Sequence, residues 1–240
     1  MSAYSDALFD RCRGEDVTVQ AVLIGIVGGT GPAGRGLAAR LASVGHDIIL
    51  GSRSKYRALE ERDKIMDTWA DRDLRLQAGD NTTAATADLV VIATPWDAAA
   101  SMARSLASHL RGKVVVTMAN ALERVDDEFE PLIPPRGSVA GHVQAVVPNA
   151  KVAAAFQHLP ARELADLDRP IESDVLICSD HADAIESVSQ LVTGVPNLRA
   201  LDCGQLSNAT AIEAFTAVLL QLNGRYRTRV ALRITGLPEG

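Results

Sequence analysis

Cysteine is scarce: Cys12, Cys178 and Cys203 are the only three in 240 residues. Their spacing offers no metal-ligand pair and no even disulfide set, which argues against a structural zinc or a disulfide-stapled scaffold and for reduced thiols in a reducing compartment. Long apolar runs are also missing. No stretch approaches the roughly eighteen residues of a membrane span, and residues 1–13 lack the apolar centre of a secretory signal. A cytoplasmic location with no membrane partner is therefore expected. Positive charge is in deficit, with 24 Lys and Arg against 30 Asp and Glu. The resulting net charge of −6 disfavours nucleic acid and anionic surfaces, so any basic site must be local. The chain contains no HExxH, no CxxC, no Ser-His-Asp order and no lysine placed for a Schiff base. No metal site and no covalent catalytic constellation is expected, and the protein is read as supplying position rather than covalent chemistry.

What is present concentrates near the start. The apolar run Ala21-Val22-Leu23-Ile24-Gly25 leads directly into Ile26-Val27-Gly28-Gly29-Thr30-Gly31-Pro32-Ala33-Gly34. This pattern predicts a buried strand turning on glycine into a helix that opens near Pro32 and offers free backbone N–H groups to a pyrophosphate. In that reading Gly29 permits the tight turn, Gly31 lets the backbone approach the phosphates, and Gly34 lets the helix at 35–44 pack closely. A plain glycine turn is the bland alternative. The strand before it and the amphipathic helix after it favour a dinucleotide.

The next strand selects which dinucleotide. After His46-Asp47-Ile48-Ile49-Leu50 the chain reads Gly51-Ser52-Arg53, with Lys55 and Arg57 close behind. An NAD enzyme would place Asp or Glu here against the ribose 2′-hydroxyl. The carboxylate that would repel a phosphate is missing. Ser52, Arg53 and Arg57 instead supply a hydroxyl and two guanidinium groups suited to a 2′-phosphate, so the expected cofactor is NADP. Basic residues at a helix start oppose the macrodipole, which weighs against reading them as a merely solvated face.

With 47% hydrophobic residues and a mean hydropathy of +0.07, the chain can bury a substantial core. Strand and helix alternate through the first two thirds: a helix at 54–70, strands at 74–78 and 89–94, a helix at 97–110 and a strand at 113–117. Residues 120–137 carry Pro131, Pro134 and Pro135 and read as a long loop over the carboxyl edge of the sheet. A helix at 138–146 and a strand at 151–156 follow. A short helix, a strand at 174–178, a helix at 181–192, a strand at 199–202 and a long helix at 207–222 complete the pattern. The expected fold class is α/β, a Rossmann-type doubly wound parallel sheet with a smaller C-terminal α/β domain. The boundaries are 1–18 for a polar extension, 19–156 for the NADP-binding domain and 157–240 for the smaller domain. Apolar Phe215, Val218, Leu219 and Leu222 along the long helix predict a partner subunit, hence a homodimer.

The remaining informative positions lie at strand ends. Trp96, in Thr94-Pro95-Trp96, stands where such folds place groups beside ribose and nicotinamide, with ordinary packing as the alternative. His158 in Phe156-Gln157-His158-Leu159-Pro160-Ala161 invites a catalytic role, against a histidine satisfied by nearby backbone. Ser207 or Asn208 is expected to cap the long helix, whose N-terminus would face an anion or a polar ring.

Together these blocks resemble a known family. Gly28 to Ala38, then Gly45-His46-Asp47, Gly51-Ser52-Arg53 and Thr94-Pro95-Trp96, are similar to the NADP-binding half of the NADPH-dependent F420 reductases, the F420H2:NADP oxidoreductases. Ala155 to Ala161 and Asp202-Cys203-Gly204-Gln205-Leu206-Ser207-Asn208 resemble that family's second-domain motifs, and the resemblance spans about residues 21–224. It implies reversible hydride transfer between NADP(H) and coenzyme F420, a deazaflavin, with the two rings stacked. Carried onto this sequence, Thr30, Gly31, Pro32 and Ala33 would hold the pyrophosphate, and Ser52, Arg53 and Arg57 the 2′-phosphate. Trp96 and Ala161 would line the nicotinamide end. Gln157, His158, Leu159, Leu206, Ser207 and Asn208 would face the deazaflavin. Gln157 stands where some relatives carry histidine, and the basic stretch Arg225-Tyr226-Arg227-Thr228-Arg229 departs from the family pattern. Two other readings remain at this point: an NADPH reductase of the same fold acting on a flavin or ferric complex, and a non-catalytic NADP-binding sensor.

Overall fold

The computed structural model describes residues 21–237; the extension 1–18 and Cys12 lie outside the described residues. The chain alternates β1 (Leu23–Val27), α1 (Pro32–Ser43), β2 (Asp47–Ser52), α2 (Lys55–Thr68), β3 (Leu76–Asp80), the short α3 (Asn81–Ala84), β4 (Leu89–Ile92), α4 (Trp96–Ser105), α5 (Ala107–Leu110) and β5 (Val114–Thr117). A hairpin of β6 (Leu122–Val125) and β7 (Glu128–Pro131) follows, then α6 (Val139–Val146), β8 (Lys151–Ala154) and α7 (Ala161–Ala165). The chain continues through β9 (Ser173–Ser179), α8 (Ala182–Thr193), β10 (Leu198–Asp202), a 3-10 turn at Leu206–Asn208 and the long α9 (Ala209–Tyr226).

Eight strands form one sheet in the order β10-β9-β8-β5-β4-β1-β2-β3. Neighbours are parallel except β8 and β9, which meet antiparallel with Ala153 opposite Ser179. The central strands are buried on both faces, which is why they read as unbroken apolar runs. Ile24 and Ile26 of β1 and Leu89 and Val91 of β4 pack into the core that also holds Leu37 and Leu41 of α1. Val27, Val90 and Ile92 point the other way, against Ala99 and Ala103 of α4 and Val143 of α6.

Local chemistry fixes the helix starts. Pro32 opens α1 where an N–H would have no helical partner. The Ser54 hydroxyl accepts from the Arg57 N–H at 3.4 Å, and Ser138 caps α6 by accepting from the Gly141 N–H at 2.9 Å.

Four expectations need correction. Residues 120–137 are not simply a loop: β6 and β7 pair across a turn at Asp126, whose φ is 51°. The helix expected at 97–110 breaks at Leu106, with φ −104° and ψ 7°, into α4 and α5. Asn208 occupies the N-cap position of α9 without capping it, because its Nδ2 donates to the Cys203 carbonyl at 2.6 Å instead. Leu219 is 6% exposed and faces the interior, whereas Phe215 and Val218 are 37% and 48% exposed.

Candidate functional site

The turns that follow β2, β1, β4, β5 and β8 all open on the carboxyl edge of the sheet, and these five strands are consecutive neighbours. β1 sits between β2 and β4, where the winding reverses, the position at which open α/β sheets bind ligands. At about 4.8 Å per strand, four steps from β2 to β8 span roughly 19 Å, room for an extended dinucleotide.

At the β1 end, Gly28 takes the left-handed φ of 71° that a side chain would strain, and a Cβ there would lie 2.6 Å from Thr94 Cγ2. The turn glycine is therefore Gly28 rather than Gly29. Gly29 is excluded from bearing a side chain by proximity, since its Cβ would meet the Ile26 carbonyl oxygen at 2.8 Å. Gly34 serves close packing as expected: its Cβ would meet Gly29 Cα at 2.7 Å, which seats α1 on the loop. Asn81, which the sequence reading did not single out, braces this loop from β3's end by accepting the Gly28 N–H at 3.0 Å.

Gly31 differs from its neighbours. Its φ of −77° and ψ of 163° are open to any residue, and a Cβ there would meet nothing nearer than the Gly28 carbonyl at 4.0 Å. Neither conformation nor protein packing demands glycine there. At the end of β2, Ser52 is buried while Arg53 and Arg57 are exposed. Neither guanidinium has an ion-pair partner among the described residues. Both are thus available to an incoming anion.

α7 carries Ala161 to the side of α1. A Cβ on Gly36 would lie 2.8 Å from the Ala161 carbonyl, and buried Arg40 donates to the Glu163, Leu164, Asp166 and Arg169 carbonyls. These bonds tie α1 to α7 and to the turn that follows it. Trp96 opens α4, half-buried against the core.

At the β8 end, Gln157 and His158 are each 5% exposed. Both polar atoms of the Gln157 amide are enclosed and have no hydrogen-bond partner among the described residues. An orphaned donor–acceptor pair at that depth costs free energy unless a ligand completes it. His158 Nε2 bonds the Asp174 carbonyl at 2.8 Å, which makes Nε2 the protonated nitrogen and leaves Nδ1 as a bare acceptor. Burial lowers the His158 pKa, with the Asp174 carbonyl and carboxylate opposing, so the ring is neutral near pH 7. Asp174 is itself fully buried. Burial alone would raise its carboxyl, but Arg199, the Ile234 N–H and Arg233 hold it below the usual carboxylate range.

The expected deazaflavin-side residues separate into two groups. Gln157, His158 and Leu159 follow β8 at the carboxyl edge. Because β9 and β10 run against β8, the chain leaving β10 returns to the other end: the Ser179 N–H bonds the Gly204 carbonyl at 3.0 Å, beside Val152 and Ala153. Leu206, Ser207 and Asn208 follow from there, and the structure does not bring them to Gln157.

A family model described as NADP oxidoreductase, coenzyme F420-dependent, matches residues 23–121. The chain is 36% identical over 220 residues to the F420-dependent NADP reductase of Methanocaldococcus jannaschii, covering 89% of this chain and 98% of that protein. It is 34% identical over 235 residues to the F420-dependent NADP reductase of Methanothermobacter thermautotrophicus, covering 93% and 99%. A solved structure from Arthrobacter sp. FB24 superimposes with a TM-score of 0.75 at 24% identity, over 90% of this chain and all of that one, and supports the fold.

Proposed function

The chain belongs to the coenzyme F420-dependent NADP oxidoreductase family, and from that membership we propose that it transfers a hydride reversibly between NADP(H) and the deazaflavin coenzyme F420. Likeness over nearly the whole length of the curated relatives carries the deazaflavin over a flavin, a ferric complex or a sensing role. When both are bound, C4 of the nicotinamide and C5 of the deazaflavin exchange the hydride directly.

The residues present fit this pair. The space at Gly31 admits a pyrophosphate to the N-terminus of α1, with Thr30, Pro32 and Ala33 around it. Ser52, Arg53 and Arg57 hold the 2′-phosphate, and Trp96 and Ala161 border the nicotinamide. Gln157, His158 and Leu159 meet the deazaflavin, where the unpartnered Gln157 amide matches a ring edge that both donates and accepts. No protein acid or base is needed at either carbon, and His158 is held neutral with its Nε2–H donated to the Asp174 carbonyl. The chain's contribution is alignment of two rings and exclusion of water.

In this reading residues 19–156 serve NADP, and residues 157–240 serve the deazaflavin and dimerisation. The exposed Phe215 and Val218 of α9 supply an apolar face for a second copy. The proposed setting is the cytoplasm, as expected from the sequence; among the described residues no helix is long and apolar enough to cross a membrane.

The test is absorbance of oxidised F420 on mixing with NADPH carrying deuterium at C4. Bleaching with the label retained at C5 is expected, and label in bulk water refutes direct transfer. His158→Ala should slow turnover about tenfold by loosening ring placement. A loss near 10⁴-fold would assign it acid–base work instead.

A further inference from the structure

Phe156, 1% exposed, has a φ of 65°. A bulky residue in the left-handed region is strained and persists only where its surroundings force it. Three bonds force it here. The Leu159 N–H donates to the Phe156 carbonyl at 3.2 Å, and His158 Nε2 donates to the Asp174 carbonyl at 2.8 Å. The third is Asn120 Nδ2, which donates to the Gln157 carbonyl at 2.6 Å.

Two of these bonds come from neighbouring strands, Asp174 from β9 and Asn120 from the end of β5, and the Asn120 bond spans the larger separation, 37 residues. Asn120 follows β5, the neighbour of β8, and its own amide is oriented in turn: Thr216 of α9, buried in the core, donates its hydroxyl to Asn120 Oδ1 at 3.2 Å. The Gln157 carbonyl can only accept, so the Asn120 NH₂ must face it, and the Thr216 hydroxyl then donates to the Oδ1 left on the other side. A short polar relay thus runs from the long helix through Asn120 to the backbone of the residue whose side-chain amide has no partner among the described residues.

We propose that Asn120, set by Thr216, is a positioning residue that holds the strained turn at 156–159 so that the Gln157 amide meets the edge of the deazaflavin. This rests on the hydride-transfer reading above, which assigns the deazaflavin to Gln157. Asn120 does not touch the ring. It acts through the Gln157 carbonyl, so its loss should tell on the deazaflavin and spare the dinucleotide, whose phosphates are held three and four strands away at β1 and β2.

The experiment uses the full chain with Asn120→Ala, Thr216→Val and Thr216→Ser. Oxidised F420 and NADPH are titrated separately by fluorescence, and hydrogen–deuterium exchange is followed at residues 155–161 without nucleotide. Asn120→Ala should weaken F420 about tenfold and leave NADPH within about twofold, with faster exchange in the turn. Thr216→Val, which keeps the shape and removes the hydroxyl, should weaken F420 about threefold, and Thr216→Ser should restore it. Equal weakening of both ligands, or exchange at 155–161 unchanged in Asn120→Ala, overturns the positioning role. A wild-type protein that binds NADPH and not F420 overturns instead the hydride-transfer reading and the ligand assigned to Gln157.

Discussion

Replacing Gly31 by valine separates the two reasons a glycine can stand in a loop. Gly31 has φ −77° and ψ 163°, an extended conformation that valine adopts readily, and a Cβ there would find nothing nearer than one carbonyl oxygen at 4.0 Å. The folded protein should therefore accept the change, with stability altered by no more than about 1 kcal/mol, since valine also restricts the unfolded chain. Binding should respond quite differently. The isopropyl group would fill the space through which the pyrophosphate reaches the free N–H groups of α1. Losing two charge-assisted hydrogen bonds at about 1.5–3 kcal/mol each removes about 3–6 kcal/mol, a 10²- to 10⁴-fold loss of NADPH affinity. Thermal unfolding and an NADPH fluorescence titration on the same sample measure both quantities. A variant that melts like the wild type yet binds NADPH within about threefold would refute the cradle and reduce the loop to a turn. Gly34→Ala is the control, because its Cβ would press to 2.7 Å on Gly29 Cα and should cost stability as well as binding.

Arg53→Ala should cost about 2 kcal/mol of NADPH affinity, roughly 30-fold, and leave NADH nearly unchanged, since an exposed guanidinium with no acidic partner among the described residues contributes only when a 2′-phosphate arrives. Equal tightness of NADH and NADPH for the wild-type protein, measured by calorimetry, would refute it. Glu213, 4% exposed, accepts the Val139 and Ala140 N–H groups of α6 at 2.8 and 3.1 Å. Burial nevertheless pushes its carboxyl up from 4.5 to about 7. The folded state then binds more protons than the unfolded one between those values, so the contribution of Glu213 is full below about pH 4.5 and is lost as pH rises through about 7. Relative to Glu213→Gln, the wild type should lose on the order of 3 kcal/mol between pH 4.5 and 8 by urea unfolding, and a flat difference across that range would show that the two N–H groups hold the anion fully.

The sequence alone determined the parallel sheet around β1, β2 and β4, because strands buried on both faces must be continuous apolar runs and the crossover helices announce themselves by their caps. It also determined the choice of NADP. That choice needs only a missing carboxylate and the pair Ser52 and Arg53 at a strand end, both local facts. What it misjudged were matters of distance between segments. Gly28, Gly29 and Gly31 look alike in the sequence, yet one is glycine for its φ, one for a carbonyl at 2.8 Å and one for open space. Residues 120–137 hid a hairpin because proline and acidic residues signal loops, although an exposed two-stranded ribbon tolerates them. Leu206, Ser207 and Asn208 follow Gln157 in the motif order of the family, but the reversed direction of β9 and β10 carries them to the other end of β8. Asn120, Asn81 and Thr216 were invisible for the same reason. Their partners are 37, 53 and 96 residues away in the chain, and a side-chain amide or hydroxyl becomes part of a site only when folding closes that separation to hydrogen-bond length.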